Sequence, residues 1–297
     1  MKKFTKRMLI AAGIFGAAGI GLTVAGGVMG ANMAQLDGFE SIGGMFWSEN
    51  TVSESEPLDD TDDIEEADDQ EDVEFMNAKS ESTADCVVYQ LQHQPVKLDI
   101  ELKYDELDLE EGDSFSVKVY NDKGNNVTIK ESADTLKIRS TKRAQSRKVC
   151  VCYPKDVKLS ELDIEMGAGS VYLNREIQVD RLKVEVGTGE FEGNASVTTK
   201  EADLQIGTGS MTFTDLSAEK TSGECGLGGL DLTMTGDEKD YNYDLQCGIG
   251  NMDVGSDSYS GFGKEDHISN TGADRKMDLE CGMGNVAVSF SGKEHRG

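Results

Sequence analysis

Hydrophobic positions along the chain follow two regimes. From Met8 to Met33 no charged residue occurs, a run of 26. Beyond residue 84, apolar and polar residues alternate with period two, which is the mark of half-buried strands. VKLDIEL (96–102), SFSVKVY (114–120), VTIK (127–130), TLKIR (135–139) and KVCVCYP (148–154) are five such runs, and GDS and DKGNN supply turns between them.

The C-terminal half repeats itself. LDIEMGAGSVYL (162–173), LKVEVGTGEFEG (182–193), ADLQIGTGSMTF (202–213), TSGECGLGGLDL (221–232), YDLQCGIGNMDV (243–254) and MDLECGMGNVAV (277–288) align on a shared G-x-G. Its first glycine falls at 167, 187, 207, 226, 248 and 282, a step near twenty that lengthens only at the end. A fixed period of that length signals a solenoid or array. The last apolar residue before each G-x-G and the first after it are always five apart, as in Met166/Val171 and Cys281/Val286. An unbroken strand would turn the second of each pair to the opposite face. The glycines therefore mark a corner or bulge that restores inward pointing. The corner glycines are Gly167, Gly169, Gly187, Gly189, Gly207, Gly209, Gly226, Gly228, Gly248, Gly250, Gly282 and Gly284. A dinucleotide-binding reading fails, because strand-like residues follow the glycines and the signature recurs six times.

The fold class expected is all-β: a single-chain parallel β-solenoid or β-helix over 156–290, with a β-rich N-terminal cap over 84–155. The long last step contains 255–276, polar and rich in glycine and serine, which reads as a surface loop. Residues 291–297 are a C-terminal tail.

The uncharged run exceeds the roughly 20 residues needed to span a bilayer. Lys2, Lys3, Lys6 and Arg7 precede it in a short basic N-terminus (1–7), and no basic residue follows until Lys79. The positive-inside rule then places the N-terminus in the cytoplasm, 8–33 as a single-pass transmembrane helix in the cell membrane, and the rest extracytoplasmic. A cleaved signal peptide is the rival, but its apolar region should be shorter and end at an A-x-A-like site. Gly26 and Gly30 form a G-x-x-x-G spacing through which two such helices could approach as a weak homodimer. Residues 34–83 comprise a juxtamembrane segment and an acidic stalk, with thirteen acidic residues between Glu54 and Glu74 and no basic one. Such a stretch repels itself and cannot bury enough apolar surface to order, so it reads as a disordered spacer.

The whole chain carries 29 basic and 56 acidic residues, a net charge of −27. That field repels phosphate backbones and excludes nucleic acid as a partner class. No cofactor motif is present. Cys225, Cys247 and Cys281 occupy the inward slot filled by Met166, Val186 and Ile206 in other repeats, so they read as a stacked column of free core thiols. Cys150 and Cys152 share one strand face, but a C-x-C metal site needs further ligands that the sequence does not point to. Outward slots form an acidic ladder, Glu165, Glu185, Gln205, Glu224, Gln246 and Glu280 beside Asp163, Lys183, Asp203, Ser222, Asp244 and Asp278, which could take cations. Lys137, Arg139, Lys142, Arg143, Arg147 and Lys148 form one basic cluster across an expected hairpin. It suits either anionic wall polymer and lipid headgroups or the protein's own acids. His267, in the polar insertion, reads as a solvent residue.

The combined pattern resembles a bacterial family of adhesins catalogued as a domain of unknown function. The likeness runs from about Cys86 to Phe290: the strand-and-Tyr-Pro opening (Thr135–Ile138, Val149–Pro154), the L-x-[IVL]-x-x-G-x-G repeats, and a closing G-x-G-x-V-x-V-x-F (Gly282–Phe290). The resemblance implies a domain tethered near a membrane helix and acting on an envelope or extracellular partner of unknown identity. Two functions follow: a surface interaction module without catalysis (adhesin, envelope scaffold or sensor accessory), or a carbohydrate-active β-helix enzyme using the ladder carboxylates.

Overall fold

The computed structural model describes residues 76–77, 79–82, 85–141 and 146–292, all within one compact unit. The expected transmembrane helix at 8–33 and the tail from 293 onward lie outside the described residues, as does the stalk up to residue 75. Among the described residues no helix is long and apolar enough to cross a membrane.

Strands make up most of the described chain: β1 (Met76–Asn77), β2 (Lys79–Ser82), β3 (Cys86–Gln90), β4 (Lys97–Glu111), β5 (Ser116–Tyr120), β6 (Val127–Glu131), β7 (Thr135–Ser140) and β8 (Lys148–Tyr153). They continue as β9 (Lys158–Leu173), β10 (Ile177–Gly193), β11 (Val197–Met234), β12 (Tyr241–Val254), β13 (Asp257–Ile268) and β14 (Arg275–Phe290). β1 and β2 fall at the end of the 34–83 stretch, past its acidic run. The run of unopposed acids ends at Glu74, and without that self-repulsion Lys79–Ser82 can pair antiparallel with β3.

The fourteen strands form one open sheet whose main path runs β13-β12-β14-β11-β10-β9-β4-β8-β5-β3-β2. The centre is parallel and in register. Leu182 of β10 lies between Leu162 of β9 and Ala202 of β11, twenty residues away in each direction. β4 joins this stack, with Leu98 beside Leu162 and Leu109 beside Leu173. Like slots therefore form buried columns, such as Leu102, Met166, Val186, Ile206 and the cysteines. The parity break appears directly in burial: Met166 and Val171 are both fully shielded, as are Val186 and Phe191. Where a column residue is small, a neighbour fills the space. Phe213 covers Gly193, close enough that an added Cβ would meet its ring at 2.8 Å.

Two placements differ from expectation. β7 and β8 are not a hairpin; each pairs parallel with β4, β7 along its first half and β8 along its second. Both keep their own alternation, which a neighbouring strand of either direction satisfies. The fifth repeat also does not stack on the fourth: β14, which carries the sixth, lies between β11 and β12. The reason is in the insertion, which is no loop. Asp257–Ile268 is strand β13, paired antiparallel with β12, so it occupies one edge of β12 and the last repeat takes the other. β13 carries polar residues opposite buried ones, Asp257 facing Val254 and Asp266 facing Leu245. Exposed charges on an edge strand discourage pairing with a further strand.

Candidate functional site

The glycines set the spacing of the stack. Gly169, Gly189, Gly209, Gly228, Gly284 and Gly250 all take φ between 133° and 155°, a region essentially restricted to glycine. They form a continuous column in that order, and a Cβ on any one would strike the carbonyl oxygen of the residue beneath. The first glycines are crowded too: a Cβ on Gly187 would lie 2.6 Å from the Gly167 oxygen, and one on Gly248 2.6 Å from the Gly282 oxygen. Gly207 stacks in the same way on Gly187, while Gly226 and Gly282 fill the matching slots after Cys225 and Cys281.

The column ends on Asp105 of β4, which has no G-x-G. There the next layer is split between β7 and β8, so no continuous backbone presses on the bend. Side chains fill the gap instead. Ser140 Oγ accepts from the Lys103 amide at 2.9 Å and donates to Asp105 at 2.6 Å. Arg147 donates to both Asp105 oxygens, at 2.5 and 3.1 Å. The Arg147 and Asp105 side chains are both fully buried. Of the basic cluster, Arg147 is thus a core residue, Lys148 bridges Glu106 at 3.0 Å and also Asp108, and Arg139 bridges Asp99 at 2.7 Å and Glu101 at 3.1 Å. Lys142 and Arg143 lie outside the described residues.

The ladder forms one registered outward face. Asp99, Asp163, Lys183 and Asp203 stand side by side, with Glu101, Glu165, Glu185 and Gln205 next to them. Lys183 holds the middle, 3.3 Å from Asp163 and 2.5 Å from Glu165. Burial opposes its charge, but the hydrogen bond to Glu165 and the charge of Asp163 overcome this and raise its pKa. Burial and then the neighbouring Glu165 push the Glu185 carboxyl up, as crowding of like charges should. Further along, Ser222, Asp278 and Asp244 continue the row in the spatial order β11-β14-β12. Asp244 is bridged by Lys276 at 3.1 Å and by exposed His267 at 2.5 Å. The hydrogen bond with His267, aided by Lys276 against slight burial, lowers the Asp244 pKa.

All six cysteines are free. The core thiols stack in the order Cys225, Cys281, Cys247. The hydrogen bond with Cys225 and burial push the Cys281 thiol up. A second group lies on β8, beside β4. Cys150 and Cys152 of β8 place their sulfurs 3.5 Å apart, and the parallel register puts Glu110 of β4 beside Cys152. The three ligand atoms lie within 4.8 Å of one another. The hydrogen bond from Cys150 brings the Cys152 thiol down to about 6 against its burial, and the charge of Lys118 assists. Glu110 was not legible as a partner, because nothing in its local pattern marks a residue forty positions from Cys150 as its neighbour.

Parallel strands in register, a glycine column and charged outward rows define an all-β domain built as a stack of like strands. Residues 98–234 match the family described as "Putative auto-transporter adhesin, head GIN domain". Among solved structures, it is similar to a "putative cell adhesion protein" from Clostridium sporogenes, at 8% identity and TM-score 0.37, covering 72% of this chain and 100% of that one. It is also similar to a "putative adhesin" from Bacteroides fragilis, at 11% identity and TM-score 0.39, covering 70% and 98%. A third, a "putative adhesin" from Parabacteroides distasonis, shares 14% identity with TM-score 0.36 over 72% and 98%. No curated protein matches the chain.

Proposed function

We propose that the chain is a membrane-anchored surface interaction module: a β-solenoid held outside the cell by residues 8–33, raised on the acidic stalk, and presenting its charged rows to an envelope or extracellular partner. The carrying observation is the registered outward face of β4, β9, β10, the two halves of β11, β14 and β12. At ~4.8 Å per strand this face is about 29 Å long, with side chains fixed by their own salt bridges. Rigid, repeated charge on a flat face suits recognition of a repeated or extended partner, because little side-chain entropy is lost on contact. The solenoid reading is supported by the twenty-residue register and the continuous buried columns. The anchor reading rests on the uncharged run and the charge asymmetry around it.

Cross-linking on intact cells with mass spectrometry of the captured neighbours tests the whole reading. The expected result is capture of envelope components by residues beyond 84, together with digestion of that region by protease added outside. Protection of the same region in sealed cells, with an accessible N-terminus, would overturn it.

A further inference from the structure

We propose that Glu110, Cys150 and Cys152 form a tetrahedral site for a borderline-soft divalent cation of the zinc class, with the fourth position open to water. Two thiolates and a carboxylate are the donor set such an ion prefers, whereas calcium and magnesium take oxygen alone. The geometry is preset by the sheet. With Zn–S near 2.3 Å, a tetrahedral ion separates its two sulfurs by about 3.8 Å, and the observed separation is 3.5 Å. The carboxylate oxygen and both sulfurs already lie within 4.8 Å of one another, so filling the site needs only small rotations of side chains.

The surroundings also fit. Cys150 and Cys152 are 2% and 4% exposed, and the half-buried Glu110 gives the ion a way in from solvent. Asp108, on the same strand face, is occupied by Lys148, which leaves Glu110 as the carboxylate directed at the sulfurs. Lys118 pairs across the sheet with Cys150 and contacts Cys152. One ammonium, two thiolates, one carboxylate and a divalent ion sum to zero, so the filled site buries no net charge.

Titrating the reduced full-length chain with Co²⁺, and then displacing it with Zn²⁺, tests the site. One equivalent should bind with thiolate-to-cobalt charge-transfer absorption and the intense visible bands of a tetrahedral ion. Cys150→Ser and Cys152→Ser should each abolish the charge-transfer band. Glu110→Gln, which leaves the buried face intact, should weaken binding at least about tenfold. A variant with Cys225, Cys247 and Cys281 all changed to Val should bind as the wild type does. The proposal is overturned if the wild type binds no cobalt, or if the band survives loss of Cys150 and Cys152. It is equally overturned if the band disappears with the core cysteines, or if Cys150 and Cys152 are isolated as a disulfide that resists mild reduction.

Discussion

At Gly189 the backbone takes φ 140° directly over the carbonyl of Gly169, and no L side chain fits there. Gly189→Ala should cost at least about 1–3 kcal/mol from backbone strain alone, measured as a lowered urea midpoint. Thr188→Ala, one residue away but exposed, should change stability by no more than about 0.5 kcal/mol. The bend in β4 obeys different chemistry. Arg147→Met would leave Asp105 buried without its counter-ion, a loss of about 3–5 kcal/mol. Adding Asp105→Asn to that variant should restore part of it, and a double-mutant cycle by chemical denaturation reads the coupling.

The elements show where sequence suffices. Period-two alternation located the strands, and the five-residue parity break identified positions such as Met166 and Val171 as facing one core. Pairing was another matter. Cys225, Cys247 and Cys281 occupy equivalent slots, so nothing in the repeats says that β14 rather than β12 lies against β11. The same limit hid β4: with Lys103, Tyr104 and Asp105 in place of glycines, its membership of the stack had no signature. Strand β13 was missed because its polar residues resemble a loop, although those residues are what end the sheet. Replacing Asp257 and Asp266 with Val should therefore make the edge adhesive, and sedimentation should show concentration-dependent association absent from the wild type.

For the whole molecule, the buried apolar residues from Leu98 to Val288 form one continuous cluster, in which each strand is stabilised chiefly by the strands stacked on either side of it. β14 is central to it despite closing the described sequence, since it fills the space between β11 and β12. Ending the chain at residue 274 should strip amide protection from β12 and from the 220–234 half of β11, while β9 and β10 keep theirs. Hydrogen exchange read by mass spectrometry distinguishes this from uniform loosening. If β12 stayed protected in the truncated chain, the order β11-β14-β12 would be wrong.

That strand order also has a consequence in time. A polypeptide leaves the ribosome from its N-terminus, and most stacked repeats could be laid down one upon the next as they emerge. Here β12 and β13 are made before the strand that must separate them from β11, so the far end of the stack has to wait, ajar by one strand's width, until Arg275–Phe290 arrives. The sixteen-residue strand β14 thus acts as a keystone: only a chain synthesised past Phe290 can close this end of the stack, and one cut short before it carries an open slot.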